Sequence, residues 1–447
     1  MSLARKTGYL TVPLTLGLAL LLSGCGNTFF GEDEEGPPLP GERIAIYELE
    51  GGLEANATAQ QIEIQIPQAL DNADWPQAGG STTNAPEHLA LGGNLSRAWS
   101  ADVGSGSEDE ARIITQPVVA DGKVFTFDAF STVSAFSASN GSRLWQRDLE
   151  PEDEDDGFFG GGLAYSGGRI YVTTGFAHVI ALDAGSGEEV WRRSLPTPIR
   201  AAPTVSSGRI FVVTMNSQTF ALSTEDGSQI WSHRGIQESA ALVGAASPAT
   251  DGQLVIAPYA SGEVYALRAD NGRVLWSDSL SAIRRTDPIA DLAGIRGQPV
   301  MARGLTIVMS NADRSVAIAT LQGQRAWDIE AGGVNTPWLS GNAVFLITND
   351  QSVVAVLASD GRVRWVTQLE RYEDPEDREG PITWYGPLVA GGRVLAVSSH
   401  GVIAQLSPQT GEVLGSVEFS GDAAVPPLVA GGTLYIVTED GTLLAYR

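Results

Sequence analysis

The sequence predicts an all-β chain folded as an eight-bladed β-propeller of four-stranded antiparallel blades, and three observations carry that prediction. First, a phrase Ala-Leu-x-x-x-x-Gly-x-x-x-Trp recurs at Ala181 with Gly187 and Trp191, at Ala221 with Gly227 and Trp231, and at Ala266 with Gly272 and Trp276. Looser copies end in Trp145, Trp327 and Trp365, and a seventh has Gly411 followed by Gly415 where the Trp would fall. Second, a phrase Pro-x-Val-x-x-Gly-x-Val-Phe precedes these copies, at 117–125, 203–211, 337–345, 387–395 and 427–435, with weaker versions at Pro248 and Pro299. Third, the tryptophans from Trp99 to Trp365 stand 38 to 51 residues apart, which suits one propeller blade and is too long for a leucine-rich solenoid.

Each unit holds four short β-rich runs separated by turn residues: the Pro-x-Val run, the Val-Phe run, the run ending in Ala-Leu, and the run through Trp. Trp99, after Leu95-Ser96-Arg97-Ala98, reads as a fourth strand whose first three are missing. Leu443-Leu444-Ala445-Tyr446-Arg447 reads as a third strand with no fourth. These halves complete one blade, so strands from both ends of the chain close the ring and remove exposed edges. The blade tryptophans Trp99, Trp145, Trp191, Trp231, Trp276, Trp327 and Trp365 are expected to pack on the neighbouring blade, each indole N–H finding a backbone acceptor.

Ahead of the ring, residues 1–24 read as a cleaved export signal: Arg5 and Lys6 lead an apolar stretch at 14–22 that is too short to span a bilayer. Leu22-Ser23-Gly24-Cys25 resembles the lipobox of bacterial lipoproteins, which implies lipid attachment, including palmitate-type acyl chains, at Cys25. Gly26 follows where a retention signal for the inner membrane would place Asp, so the resemblance implies outer-membrane delivery with the body in the periplasm. Residues 25–70 are expected to form a lipidated flexible tether, acidic and rich in Pro and Gly at 31–41, with short strands at 44–49 and 62–66. The propeller is expected to occupy 71–447.

The composition narrows the chemistry. A formal charge of −25 argues against nucleic acid and against any membrane contact other than the lipid anchor. One cysteine excludes a disulfide framework and a cysteine zinc site. His88, His178, His233 and His400 have no metal-ligand spacing, and the acidic runs at 150–156 and 370–379 lack the pattern of a calcium loop and read as solvated. Gly160-Gly161-Gly162 does not join a strand to a helix, so a phosphate cradle is not expected. No catalytic residue, metal or cofactor is assigned.

Connections from the outermost strand of one blade to the innermost of the next share one face of the ring, so their lengths are informative. Three are long: 235–247, 279–298 and 370–386. The first carries Ile236, Ala240, Ala241, Leu242 and Val243. The second mixes Ile283, Ile289, Leu292 and Ile295 with Arg284, Arg285, Asp287, Asp291 and Arg296. Apolar residues rimmed by charges of both signs on an acidic body make a candidate protein-binding patch.

The repeat resembles the quinoprotein-type propeller family over about residues 99–447, whose founding members are dehydrogenases using pyrroloquinoline quinone and calcium. Their vicinal cysteine pair is absent, and their calcium ligands find no match; Asn216 and Asn311 sit where turn residues are expected. A quinone-dependent periplasmic oxidoreductase is therefore kept only as an alternative. The lipobox, the eight units and Asp74-Trp75-Pro76-Gln77-Ala78-Gly79-Gly80 before the first blade together look like the BamB family of outer-membrane β-barrel assembly lipoproteins. That resemblance implies a non-catalytic scaffold binding periplasmic domains of BamA, alongside other assembly-machinery lipoproteins. It points to Leu242 and Asp291 as contacts, with Val243 and Arg296 standing where the family has a basic and an acidic residue.

Overall fold

The computed structural model describes residues 53–151, 160–236, 245–280 and 294–447. Cys25 and the run at 44–49 lie outside the described residues, as do Leu242, Val243, Arg284, Arg285, Asp287 and Asp291. Eight four-stranded antiparallel sheets follow one another as blades 1 to 7, at 118–148, 161–194, 204–234, 249–279, 300–329, 338–368 and 384–418, with blade 8 at 428–446. Blade 8 takes its outer strand from Arg97–Asp102, pairing Trp99 with Ala445 and Asp102 with Thr442. The composite closure is thus the one expected. An additional two-stranded hairpin, Tyr372–Asp374 with Glu379–Pro381, occupies the loop read as solvated acid. A Pro-Glu-Asp turn between β-compatible flanks allows it.

The two repeated phrases meet in a single contact. The Ala of each Ala-Leu pair lies directly across the ladder from its Trp, as in Ala181 with Trp191 and Ala266 with Trp276, and the register shifts immediately after it. A small residue opposite the indole, followed by a bulge that increases local twist, lets the ring lean out of its own sheet. Its near side meets the aromatic that ends the proline phrase: Phe125–Trp145, Phe211–Trp231 and Phe345–Trp365 each have centroids 5.9 Å apart. Its far side covers the glycine of the next blade. A Cβ on Gly187 would fall 2.6 Å from Trp145 and one on Gly272 2.7 Å from Trp231, and both glycines have φ above +70°. Only glycine meets both demands.

The indole N–H then donates to a carbonyl in that same turn. Trp99 reaches Ala138, Trp145 Ala184, Trp191 Thr224, Trp231 Ala269, Trp276 Thr320, Trp327 Ala358 and Trp365 Pro408, at 2.7–3.3 Å. Seven of the eight seams between blades are therefore built alike. At the eighth, between blades 7 and 8, Gly415 replaces the Trp and nothing approaches it within 4 Å. There the guanidinium of Arg393 donates to the carbonyls of Gly92 and Gly93 and to Gln405.

Residues before the ring are more engaged than a tether. Ile64 is buried, and Gln409 holds both its N–H and its carbonyl; Asn342 does the same for Gln65 and Glu63. No strand forms at 62–66, because side-chain amides of the lower-face turns, and no second strand, satisfy that backbone. The chain then makes one lap of the ring, hydrogen-bonding to the innermost strand of every blade in turn. Asn72 bonds Val429 and Gly431, Trp75 pairs with Val119, Pro76 accepts from Tyr165, and Gln77 holds Val205. Thr82 then accepts from Thr250, Thr83 from Met301 and Glu87 from the Trp338 indole, and Leu89 bonds Val389. Trp75 is buried and stacks on Trp338 with centroids 6.4 Å apart.

Replacing Trp276 by Ala removes a buried indole, its hydrogen bond to Thr320 and its cover over Gly323. The expected loss is about 3–5 kcal/mol. Trp276→Phe keeps most of the ring and should lose about 1–2 kcal/mol. Denaturant midpoints that fall in the order wild type, Phe, Ala check this.

Candidate functional site

The upper face carries the blade-to-blade connections, and two of its long loops spring from one structure. At the start of 235–247, the Ile236 N–H donates to Glu263 Oε2 at 2.8 Å, and Ser261 Oγ donates to the same oxygen. Tyr265 donates to the other oxygen at 2.9 Å. Glu263 thus sits at the entry to blade 4's third strand, with both oxygens occupied. Beside it, Tyr259 packs against His233 and Tyr265, and its hydroxyl lies 2.7 Å from Thr219 Oγ1 and 3.0 Å from His233 Nδ1. The second loop, 279–298, leaves where the Leu280 N–H donates to Gly262 and returns where Ile295 is buried beside Tyr259. The blade-4 segment 259–263 therefore anchors the described roots of both loops. The third loop is pinned at its base by the Trp384 indole donating to Glu370.

Burial sets the charge states in this cluster. It raises the Tyr259 phenol far above its ordinary value and lowers His233, with the Glu263 carboxylate opposing the latter shift.

The axis of the ring holds a cavity of about 160 Å³. Trp75 and Trp338 belong to its lining together with Gly79 and Asn84 of the N-terminal lap. The rest comes from residues around the start of every blade's innermost strand: Thr115 and Gln116, Gly161, Arg200, Ser247, Arg296 and Gln298, Asn335, Tyr385, and Pro426. Arg200 and Arg296 occupy equivalent places, each three residues before the first-strand proline, Pro203 and Pro299. Arg296, expected on a docking loop, lines this channel, close before the first strand of blade 5. Burial lowers its pKa, and among the described residues it has no hydrogen bond or ion pair. Tyr385 is pushed up to about 12 by burial and then by the Glu439 carboxylate, while Arg296 and Arg112 oppose.

This lining contains no Asp, Glu, His or Cys. A quinone with a bound calcium ion needs hard oxygen ligands, above all carboxylates, so the channel does not fit that pair. Among the described residues no three such side chains gather anywhere as a metal site. Sequence reasoning missed Arg200, Tyr385 and the Trp75–Trp338 pair. Extending the comparison of the proline phrases three residues upstream would have brought out both arginines.

The family model described as outer membrane protein assembly factor BamB matches residues 129–367 and 372–447. The chain belongs to the BamB family. BamB of Legionella pneumophila is 25% identical over 205 residues, covering 46% of this chain and 51% of that protein. BamB of Escherichia coli K12 is 27% identical over 209 residues, covering 46% and 50%. The chain thus spans about half the length of the relatives it matches. In structure it is similar to BamB from Moraxella catarrhalis, with a TM-score of 0.67 at 20% identity over 79% of this chain and 100% of the other. It is also similar to quinohemoprotein alcohol dehydrogenase from Comamonas testosteroni, with a TM-score of 0.63 at 15% identity over 88% and 83%. At such identities these likenesses establish the shared eight-bladed ring and leave chemistry to the site.

The loop anchor should respond to acid. An unfolded chain protonates His233 near its ordinary 6.5, while the folded site resists. Above that pH the two states bind protons equally; below it the unfolded state binds more, so stability is lost as pH falls. Melting temperature should therefore drop more steeply between pH 7.5 and 5 in the wild type than in His233→Gln.

Proposed function

We propose that this chain is a non-catalytic scaffold of outer-membrane protein assembly, attached to the outer membrane through lipid on Cys25 and facing the periplasm. In this reading it docks on periplasmic domains of BamA through its upper face, alongside other assembly-machinery lipoproteins, and assists insertion of outer-membrane proteins. The BamB family match over most of the ring carries the reading. Its support from geometry is that the described roots of two long neighbouring loops, Ile236 on one and Leu280 and Ile295 on the other, are held by the same blade-4 segment, 259–263. A channel wall without acid, base or metal ligands accords with a binding role.

Leu242, Val243, Arg284, Arg285, Asp287 and Asp291 are the contact residues assigned in this reading. Leu242→Asp combined with Asp291→Arg should weaken BamA capture from detergent-extracted membranes by about tenfold or more, while the melting temperature stays within a few degrees of wild type. Unchanged capture would remove these residues from the contact. Cys25→Ala should shift the protein from the membrane to the soluble fraction.

A further inference from the structure

The axial cavity is lined by two guanidiniums and by no carboxylate. Among the described residues the Arg296 guanidinium has no hydrogen bond or ion pair, and the lining supplies no carboxylate to it. A second guanidinium, Arg200, lines the same cavity from the equivalent position of blade 3. The Tyr385 phenol stays protonated at any physiological pH, so its hydroxyl is a donor there. The side chains of Thr115, Gln116 and Asn335 complete the polar wall, their own donors bonded to the carbonyls of Gly161, Pro426, Pro427 and Trp384. Holding an uncompensated cation away from bulk water costs free energy, and a bound anion offsets that cost. In a chain of net charge −25, a lining with two guanidiniums and no carboxylate is opposite in sign to the chain as a whole.

We propose that the axial channel is a binding site for a small organic carboxylate, gripped by Arg296 and Tyr385 and closed beneath by Trp75 and Trp338. A planar guanidinium fork matches the two oxygens of a carboxylate, and a phenol hydroxyl donates to either. Size sets the class further. A volume of about 160 Å³ is close to that of a roughly 150 Å³ cavity that admits benzene, room for a carboxylate with a short chain. The carboxylate comes either from a free acid or from the carboxyl terminus of a polypeptide inserted from the upper face. This site is separate from the loop contacts, so it stands or falls independently of the docking reading.

The test uses the full chain in detergent, titrated calorimetrically at constant ionic strength with sodium butyrate, N-acetyl-trialanine and N-acetyl-trialanine amide. Both acids should bind and the amide should not. A peptide acid at least tenfold tighter than butyrate identifies a polypeptide terminus as the source, and butyrate equal or tighter identifies a free acid. Arg296→Gln should weaken the acids at least tenfold, and Arg296→Lys by less. Without ligand, Arg296→Gln should melt at or above the wild-type temperature, since it removes an unpaired charge. Equal binding of acid and amide, no binding of either acid, or a lower melting temperature of ligand-free Arg296→Gln overturns the proposal.

Discussion

The ring depends on the contact between an indole of one blade and a glycine of the next. Each such contact joins a tryptophan from the fourth strand to a left-handed glycine turn in the following blade, and five of the seven add an aromatic from the second strand, where blades 4 and 5 have Ile256 and Ile307. The ring supplies apolar area, and its N–H removes an otherwise unpaired carbonyl from the turn. The same indole-to-turn contact recurs at seven seams, so each of those blades is joined to the next in the same way. The glycine is as necessary as the tryptophan, since any side chain would hold the indole off the turn.

Closure and the channel follow from that regularity. Equivalent residues of every blade converge on the axis, so a substitution at one repeat position, three residues before the first-strand proline, places Arg200 and Arg296 in the same cavity though 96 residues separate them. The lap of chain from Asn72 to Leu89 occupies the inner edges of the first strands, which would otherwise present unpaired backbone groups. It also supplies Trp75 to the channel lining. Structure and binding capacity are therefore built from the same eightfold pattern, with departures from the pattern marking the chemistry.

The legible part of the sequence was the part that repeats. Ala-Leu, Gly and Trp at constant spacing identified strands three and four, and the orphaned Trp99 strand together with Leu443 to Tyr446 identified the shared blade. Less legible was what occurs once. Asp74 to Gly80 looked like a lead-in, because nothing in a single pass of residues announces that Trp75, Pro76 and Gln77 will meet three successive blades. Ile62 to Ile66 alternates as a strand does, yet its partners are Gln409 and Asn342, amides nearly three hundred residues or more away. Arg296 read as part of a loop because its role is set by distance to the ring axis, which depends on tertiary closure and not on local pattern.

The lap from Asn72 to Leu89 bears on the order of events during folding. This segment is synthesised before any blade, but its hydrogen-bond partners extend to Val429 and Gly431. Likewise the strand around Trp99 waits for Thr442 to Tyr446. Blades can form locally and early as hairpins of low sequence separation, whereas the two earliest-emerging segments mature last. Until the last strands are in place, the growing arc has an open flank and an unlined axis, the period in which it most needs protection from mispairing with other chains.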